Sequence, residues 1–187
     1  MKRYEAHLQS TTPLGQGRHV DLPKERSETD DAYRQRVVRA RLHVSMNEVY
    51  IPPMAIKKCL EETAFYLKMQ IPGKGKETYT KHIVQGVLCN EPMMLGVSPD
   101  QARIDKHFGS LTPGKANSGR GWIYYPVLDS WEGVAQMYVV DERLNAEVLR
   151  KHLELAGVIT GLGVWRPRRG GMWGKFKVLA FEEFEVS

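Results

Sequence analysis

The stretch IPPMAIKKCLEETAFYLKMQIPG, residues 51–73, constrains the fold of this 187-residue chain more than any other. Pro52 and Pro53 can open a helix, because the N–H that proline lacks has no intrahelical partner in the first turn. Ile56, Cys59, Leu60, Ala64 and Leu67 then recur at helical spacing, and Pro72–Gly73 ends the run. An apolar stripe on one side of a helix needs a second layer to cover it. The rest of the chain supplies mainly strands. YEAHLQS, Tyr4–Ser10, alternates and ends in the turn signal TTPLGQG. RLHVSMNEVYIPP predicts a hairpin, with Leu42–Val44 and Val49–Ile51 flanking a turn at Met46–Asn47–Glu48. HIVQGVLC, His82–Cys89, is expected to be a strand. Trp122–Leu128 and Val134–Val140 read as two strands joined by the DSWEG turn, and KFKVLAFEEFEV closes the chain as another. NAEVLRKHLELAG predicts a second helix, with Asn145 as N-cap and Gly157 at its C-terminal stop.

The core order is strand, helix, strand, strand, helix, strand. It predicts an α+β protein with a ferredoxin-like or RRM-like βαββαβ core and an antiparallel sheet. Residues 1–187 form a single domain in this reading, with two long insertions at about 11–41 and about 92–121. The first is highly charged and carries a short helix over Asp31–Arg36; the second is rich in Gly, Pro, Asn and Ser. An apolar content of 42% suffices for a hydrophobic core. No apolar run approaches the roughly 18 residues that span a bilayer, and MKRYEAHLQS has no signal-peptide core. A cytoplasmic protein of a bacterial or phage-infected cell is expected, without membrane contact. Cys59 and Cys89 lack paired spacing and read as buried reduced thiols, so no metal and no cofactor are expected.

Charge is the next constraint. The formal net charge of +5 favours a polyanionic partner only where it is clustered, and here it is. GLGVWRPRRGGMWGKFKV, residues 161–178, holds Arg166, Arg168, Arg169, Lys175 and Lys177 without an acid, and FEEFEVS swings acidic immediately after. Glycines such as Gly170 and Gly171 can present backbone N–H groups to phosphate oxygens, and arginine offers the same anion a planar fork. Trp165 and Trp173 supply flat surfaces for unpaired bases, although Trp173 fits equally well as a plug beneath the loop. A second concentration, GKGKETYTKH, contributes Lys74, Lys76, Lys81 and His82. Lys57 and Lys58 stand in the first turns of the proline-started helix. Cations there oppose the helix dipole, which a bound anion would offset; the alternative is simple surface placement. Arg120 ends the second insertion, where it could act as a clasp.

Two of these segments carry a resemblance. VYIPPMAIKKCLEE, Val49–Glu62, joins an apolar strand, Ile-Pro, a tight turn and a helix with early lysines. GLGVWRPRRGGMWGK is a glycine-rich basic loop between the second helix and the last strand. Together they resemble the RAMP superfamily of CRISPR RNA-binding subunits, and most closely the backbone subunits that polymerise along a guide RNA. The whole chain is also similar to small phage and prophage proteins. The resemblance implies an RNA partner, association of copies along the strand, and CRISPR or phage protein partners. Pro53–Met54–Ala55 departs from it, since backbone subunits favour small Gly and Ser residues at that turn.

The function expected from these readings is non-catalytic binding of single-stranded RNA or DNA along its phosphate backbone, with weak sequence preference and strong salt sensitivity. Two alternatives use the same residues. One is a phage protein-interaction module that mimics or caps a CRISPR effector subunit; the other is a metal-independent ribonuclease. TYTKH supplies Tyr79, Lys81 and His82 for the latter, but on a strand His82 would face away from the other two. His7, His19, His43, His107 and His152 show no metal spacing, and no Gly-x-Ser-x-Gly or phosphate-loop pattern occurs. No enzyme is therefore expected.

Overall fold

The computed structural model describes residues 1–110 and 119–185. Strand β1, Lys2–Ser10, lies at its centre. Tyr4, Ala6 and Leu8 on one face are fully buried, while Arg3, Glu5, His7 and Gln9 on the other are half-exposed. β1 pairs antiparallel with two partners: β9, Glu132–Val139, and the last strand, β10, Phe176–Glu185. β9 in turn pairs with the two-residue β5, Val87–Leu88. The sheet order is β10-β1-β9-β5. Counting these four strands along the chain gives 4-1-3-2, the antiparallel order of a ferredoxin-like core.

Helices cover the buried face. Helix α2, Pro53–Leu67, starts at proline as expected and ends where Lys68 turns left-handed at φ 47°, its N–H bonded to the Ala64 carbonyl at 3.0 Å. Helix α4, Ala146–Leu155, is capped by the Asn145 side chain, which accepts from the Val148 N–H at 2.9 Å. Leu149, Leu153, Leu60 and Ala64 project from these helices onto Met137 and Ala135 of β9 in one apolar cluster.

Three expectations are corrected. First, His82–Cys89 is not a strand. Tyr79–Gly86 forms helix α3, and only Val87–Leu88 is extended. Its inward residues, Tyr79, His82, Ile83 and Gly86, follow helical spacing, but His82 and Gly86 do not register as apolar in the sequence. Second, Gly157 does not stop α4. The chain continues through a π-helical turn, Ala156–Thr160, and leaves it at Gly161, φ 69°. Gly157 is required because the Phe176 carbonyl of β10 presses where a Cβ would stand. DSWEG joins two strands as expected, but they belong to different sheets. β8, Arg120–Leu128, belongs to a separate three-stranded sheet with β2, Leu14–Gly15, and β7, Arg103–Ser110. Third, the insertion near 92–121 is structured in part. It holds β6, Met93–Met94, and β7, which pairs with β8 over eight positions; residues 111–118 of it lie outside the described residues.

The first insertion carries helix α1, Asp30–Val37, capped by Thr29, close to the predicted span. β3, Val44–Ser45, and β4, Glu48–Ile51, form the expected hairpin, with Met46 and Asn47 both at positive φ in its turn.

Candidate nucleic-acid interface

The glycine-rich loop emerges from the π-helical turn and is gripped by one face of α2. Cys59 Sγ donates to the Gly161 carbonyl at 3.3 Å, the Thr63 and Thr160 hydroxyls meet at 2.6 Å, and Arg166 Nη2 reaches Glu62 Oε1 at 3.0 Å. Positions 59, 62 and 63 lie one above another on the helix. Burial pushes the Cys59 thiol up to about 12, so it serves as a neutral buried donor.

The loop then closes on itself. Leu162 N–H donates to the Gly174 carbonyl at 2.9 Å, Trp173 N–H to Trp165 at 2.9 Å, and Gly174 N–H to Pro13 at 2.7 Å. Gly170 ends a 3₁₀ turn over Pro167–Arg169, its φ of 78° disfavouring any other residue. At Gly171 an added Cβ would collide with the Trp165 carbonyl. The expected phosphate cradle of glycine amides is thereby corrected. Gly170 and Gly171 N–H groups donate to the Pro167 and Arg166 carbonyls at 2.9 and 3.1 Å. These glycines permit tight folding of the loop.

Arg168 and Arg169 are exposed and have no ion-pair partner among the described residues. Arg166 differs: with 14% of its side chain exposed and bound to Glu62, it is an anchor. Lys175 is half-buried and Lys177 exposed, on either side of buried Phe176.

Trp165 and Trp173 meet the β7–β8 hairpin. His107 stacks on Trp165 with ring centroids 4.9 Å apart and meets Trp173 edge-on at 5.1 Å; Tyr125 lies 6.3 Å from each tryptophan. Trp173 packs inward against the hairpin and remains partly accessible. On the other face α1 covers Tyr124, whose hydroxyl donates to Asp31 at 2.8 Å, and the face is open toward Phe108 and Trp122. Phe108 and Trp122 stand opposite each other in the ladder, 55% and 42% exposed, with centroids 5.4 Å apart. Lys106 Nζ lies 4.7 Å above Trp122, and the Arg120 guanidinium 5.4 Å from Phe108. Of these four residues only Arg120 was legible as a candidate. The available signal was the pattern Ile104, Lys106, Phe108, alternating against Arg103, Asp105, His107.

Several candidates stand elsewhere. Lys57 is buried, its amine donating to the carbonyls of Ile83 and Val84 at 2.9 and 2.7 Å and pairing with Glu61 at 3.2 Å. It closes the C-terminus of α3 and is removed from the anion-binding set. Lys58 pairs with the same Glu61. His82 is also removed: its Nδ1 lies 2.7 Å from Asp141 Oδ2 and its Nε2 3.0 Å from Glu77 Oε1. Burial alone would raise the Asp141 carboxyl, but the Arg143 N–H and the His82 ring hold it below the usual range. The carboxylates sit on opposite sides of the imidazole, so the three groups cannot share one metal ion. Among the described residues no cluster of His, Cys, Asp or Glu has that ability. Lys74, Lys76 and Lys81 are exposed around α3, apart from the loop.

With this geometry the chain can be set beside known structures. It aligns over 100% of its length with a chain of the type III-B Cmr-beta complex bound to cognate target RNA, with a TM-score of 0.63 and 14% identity. It spans 61% of that neighbour. It also aligns over 95% of its length with 98% of Cmr6 from Pyrococcus furiosus, with a TM-score of 0.52 and 12% identity. The chain shares its fold with both. No family model and no curated protein matches the sequence. Among the described residues no helix is long and apolar enough to cross a membrane.

Proposed function

We propose that this RAMP-like protein is a non-catalytic subunit that binds single-stranded nucleic acid, RNA foremost, along its phosphate backbone, with copies or CRISPR-type partners seated side by side on the strand. One observation carries the reading: a rigidly anchored loop presents Arg168 and Arg169 without ion-pair partners among the described residues, and the same loop is stacked onto a hairpin bearing Lys106, Phe108, Trp122 and Arg120. Unpaired guanidinium groups bind phosphate, and exposed rings accept unstacked bases. The RNA-bound state of the Cmr-beta neighbour supports RNA as the ligand. His82, the residue a ribonuclease reading needs, has both ring nitrogens occupied by carboxylates, which favours binding over cleavage.

Fluorescence anisotropy with a labelled oligouridylate over a range of salt tests this. Arg168→Ala together with Arg169→Ala should weaken binding and reduce the salt slope by about 0.7 for each lost phosphate contact. Unchanged affinity and slope would show that the loop is not the phosphate site.

A further inference from the structure

Beyond the loop lies a cleft of about 510 Å³ beside Asp141 and Glu142, an apolar recess by His43, and a different kind of surface at the C-terminal end of α2. There Glu62, Phe65, Tyr66, Lys68 and Arg168 enclose about 490 Å³. Phe65 and Tyr66 are 58% and 72% exposed, an unusual pair of rings to leave in water on a helix of this core. We propose that this cleft is a nucleotide subsite, in which Phe65 and Tyr66 stack a base while Arg168 and Lys68 hold its phosphates. The inference rests on the single-strand reading of the loop and extends the path of the strand beyond it.

The placement follows from how α2 grips the loop. Cys59, Glu62 and Thr63 are the gripping positions, and Tyr66 is the next residue on that face, one turn onward. The Arg166–Glu62 pair fixes the 3₁₀ turn, which carries Arg168 to the rings. It also neutralises Glu62, the one acid among the described residues lining the cleft, and leaves the cations Lys68 and Arg168 there. Aromatic rings beside cations suit the face of a base and its phosphate. A docked second copy would need about 800 Å² on each partner, with an apolar centre; two rings ringed by cations do not provide that.

Phe65→Ala combined with Tyr66→Ala removes both rings from solvent-exposed positions, and an unchanged melting temperature will confirm that the fold is intact. Anisotropy with labelled oligouridylate is expected to show about tenfold weaker binding. The salt slope should stay at the wild-type value, because no cation is lost. Ultraviolet cross-linking of an iodouridine-bearing oligonucleotide should label the peptide containing Tyr66. Wild-type affinity in the double variant, with no cross-link on α2, would overturn the subsite. The loop reading would then still stand if Arg169→Ala alone lowered the slope. A change of molar mass in light scattering with affinity unchanged would assign the rings to a copy-to-copy contact and overturn the inference. If the wild-type protein binds no single strand at any salt, the subsite and the loop reading fall together.

Discussion

At the residue scale, charge sign says little until the partner is known. Five basic side chains of the loop and the lysines of α2 look equivalent in the sequence, but the structure divides them. Lys57 is the clearest case of internal use. It satisfies two carbonyls at the end of α3 and neutralises Glu61, which is 6% exposed. Removing one partner of a buried polar set leaves the others desolvated and unpaired. Lys57→Ala should therefore lower unfolding free energy in urea by about 2–3 kcal/mol, with Lys58 still serving Glu61. Single-strand affinity at full folding should not change, whereas an anion-binding lysine would show the reverse. None of this was readable beforehand, because the contacts join residues 26 and 27 positions apart. The Arg166–Glu62 pair, 104 positions apart, was hidden for the same reason. Local composition located the loop; it could not show which of its arginines was already engaged.

At the scale of elements, those with one apolar buried face were legible, and those whose packing is polar or aromatic were not. β1 alternates because helices cover one side only, and α2 and α4 show a stripe for the same reason. β7 carries polar and aromatic residues on both faces, one packed on the loop through His107, the other open with Phe108. It therefore lacks the apolar–polar alternation of β1, and its stretch reads as irregular chain. α3 was mistaken for a strand because Ile83, Val84, Val87 and Leu88 form a β-branched and apolar run, which tertiary packing against α2 overrides. The joint between hairpin and loop is itself testable. Trp173 touches both His107 and Tyr125, and aromatic pairs contribute about 0.5–1.5 kcal/mol each. Trp173→Ala should speed amide exchange in β7 and β8 by about tenfold or more, while β1 and β9 retain wild-type protection. Equal acceleration in both sheets would mean that the cluster supports the whole core and does not hold one element to another.

At the scale of the whole molecule, the charges are arranged with a basic loop before β10 and acids, Glu182, Glu183 and Glu185, along its far half. Folding adds a second pattern, groups whose proton affinity is lowered in the native state. Burial holds His152 below its ordinary value, and burial followed by the Arg18 charge does the same to His43. His152 is fully buried, with Nδ1 2.7 Å from the Val148 carbonyl and Nε2 without a partner among the described residues, so a second proton would place a charge in the core. Among the carboxylates, the Arg36 side chain holds Glu28 at about 2, and Asp105 is lowered by Arg103. In every case the native state binds fewer protons than the unfolded chain, so stability rises with pH across the interval between the two values. The histidine contributions are complete above about pH 6.5 and decline as pH falls below it; the carboxylate contributions are complete above about pH 4 and decline toward about pH 2. Melting temperature should accordingly be level above about pH 6.5, fall gently to about pH 4.5, and fall steeply below about pH 4. His152→Leu keeps the volume apolar and cannot protonate, so its gentle limb should flatten while its steep limb is unchanged. A variant that retains the wild-type slope between about pH 4.5 and 6.5 would move that dependence from the core to His43.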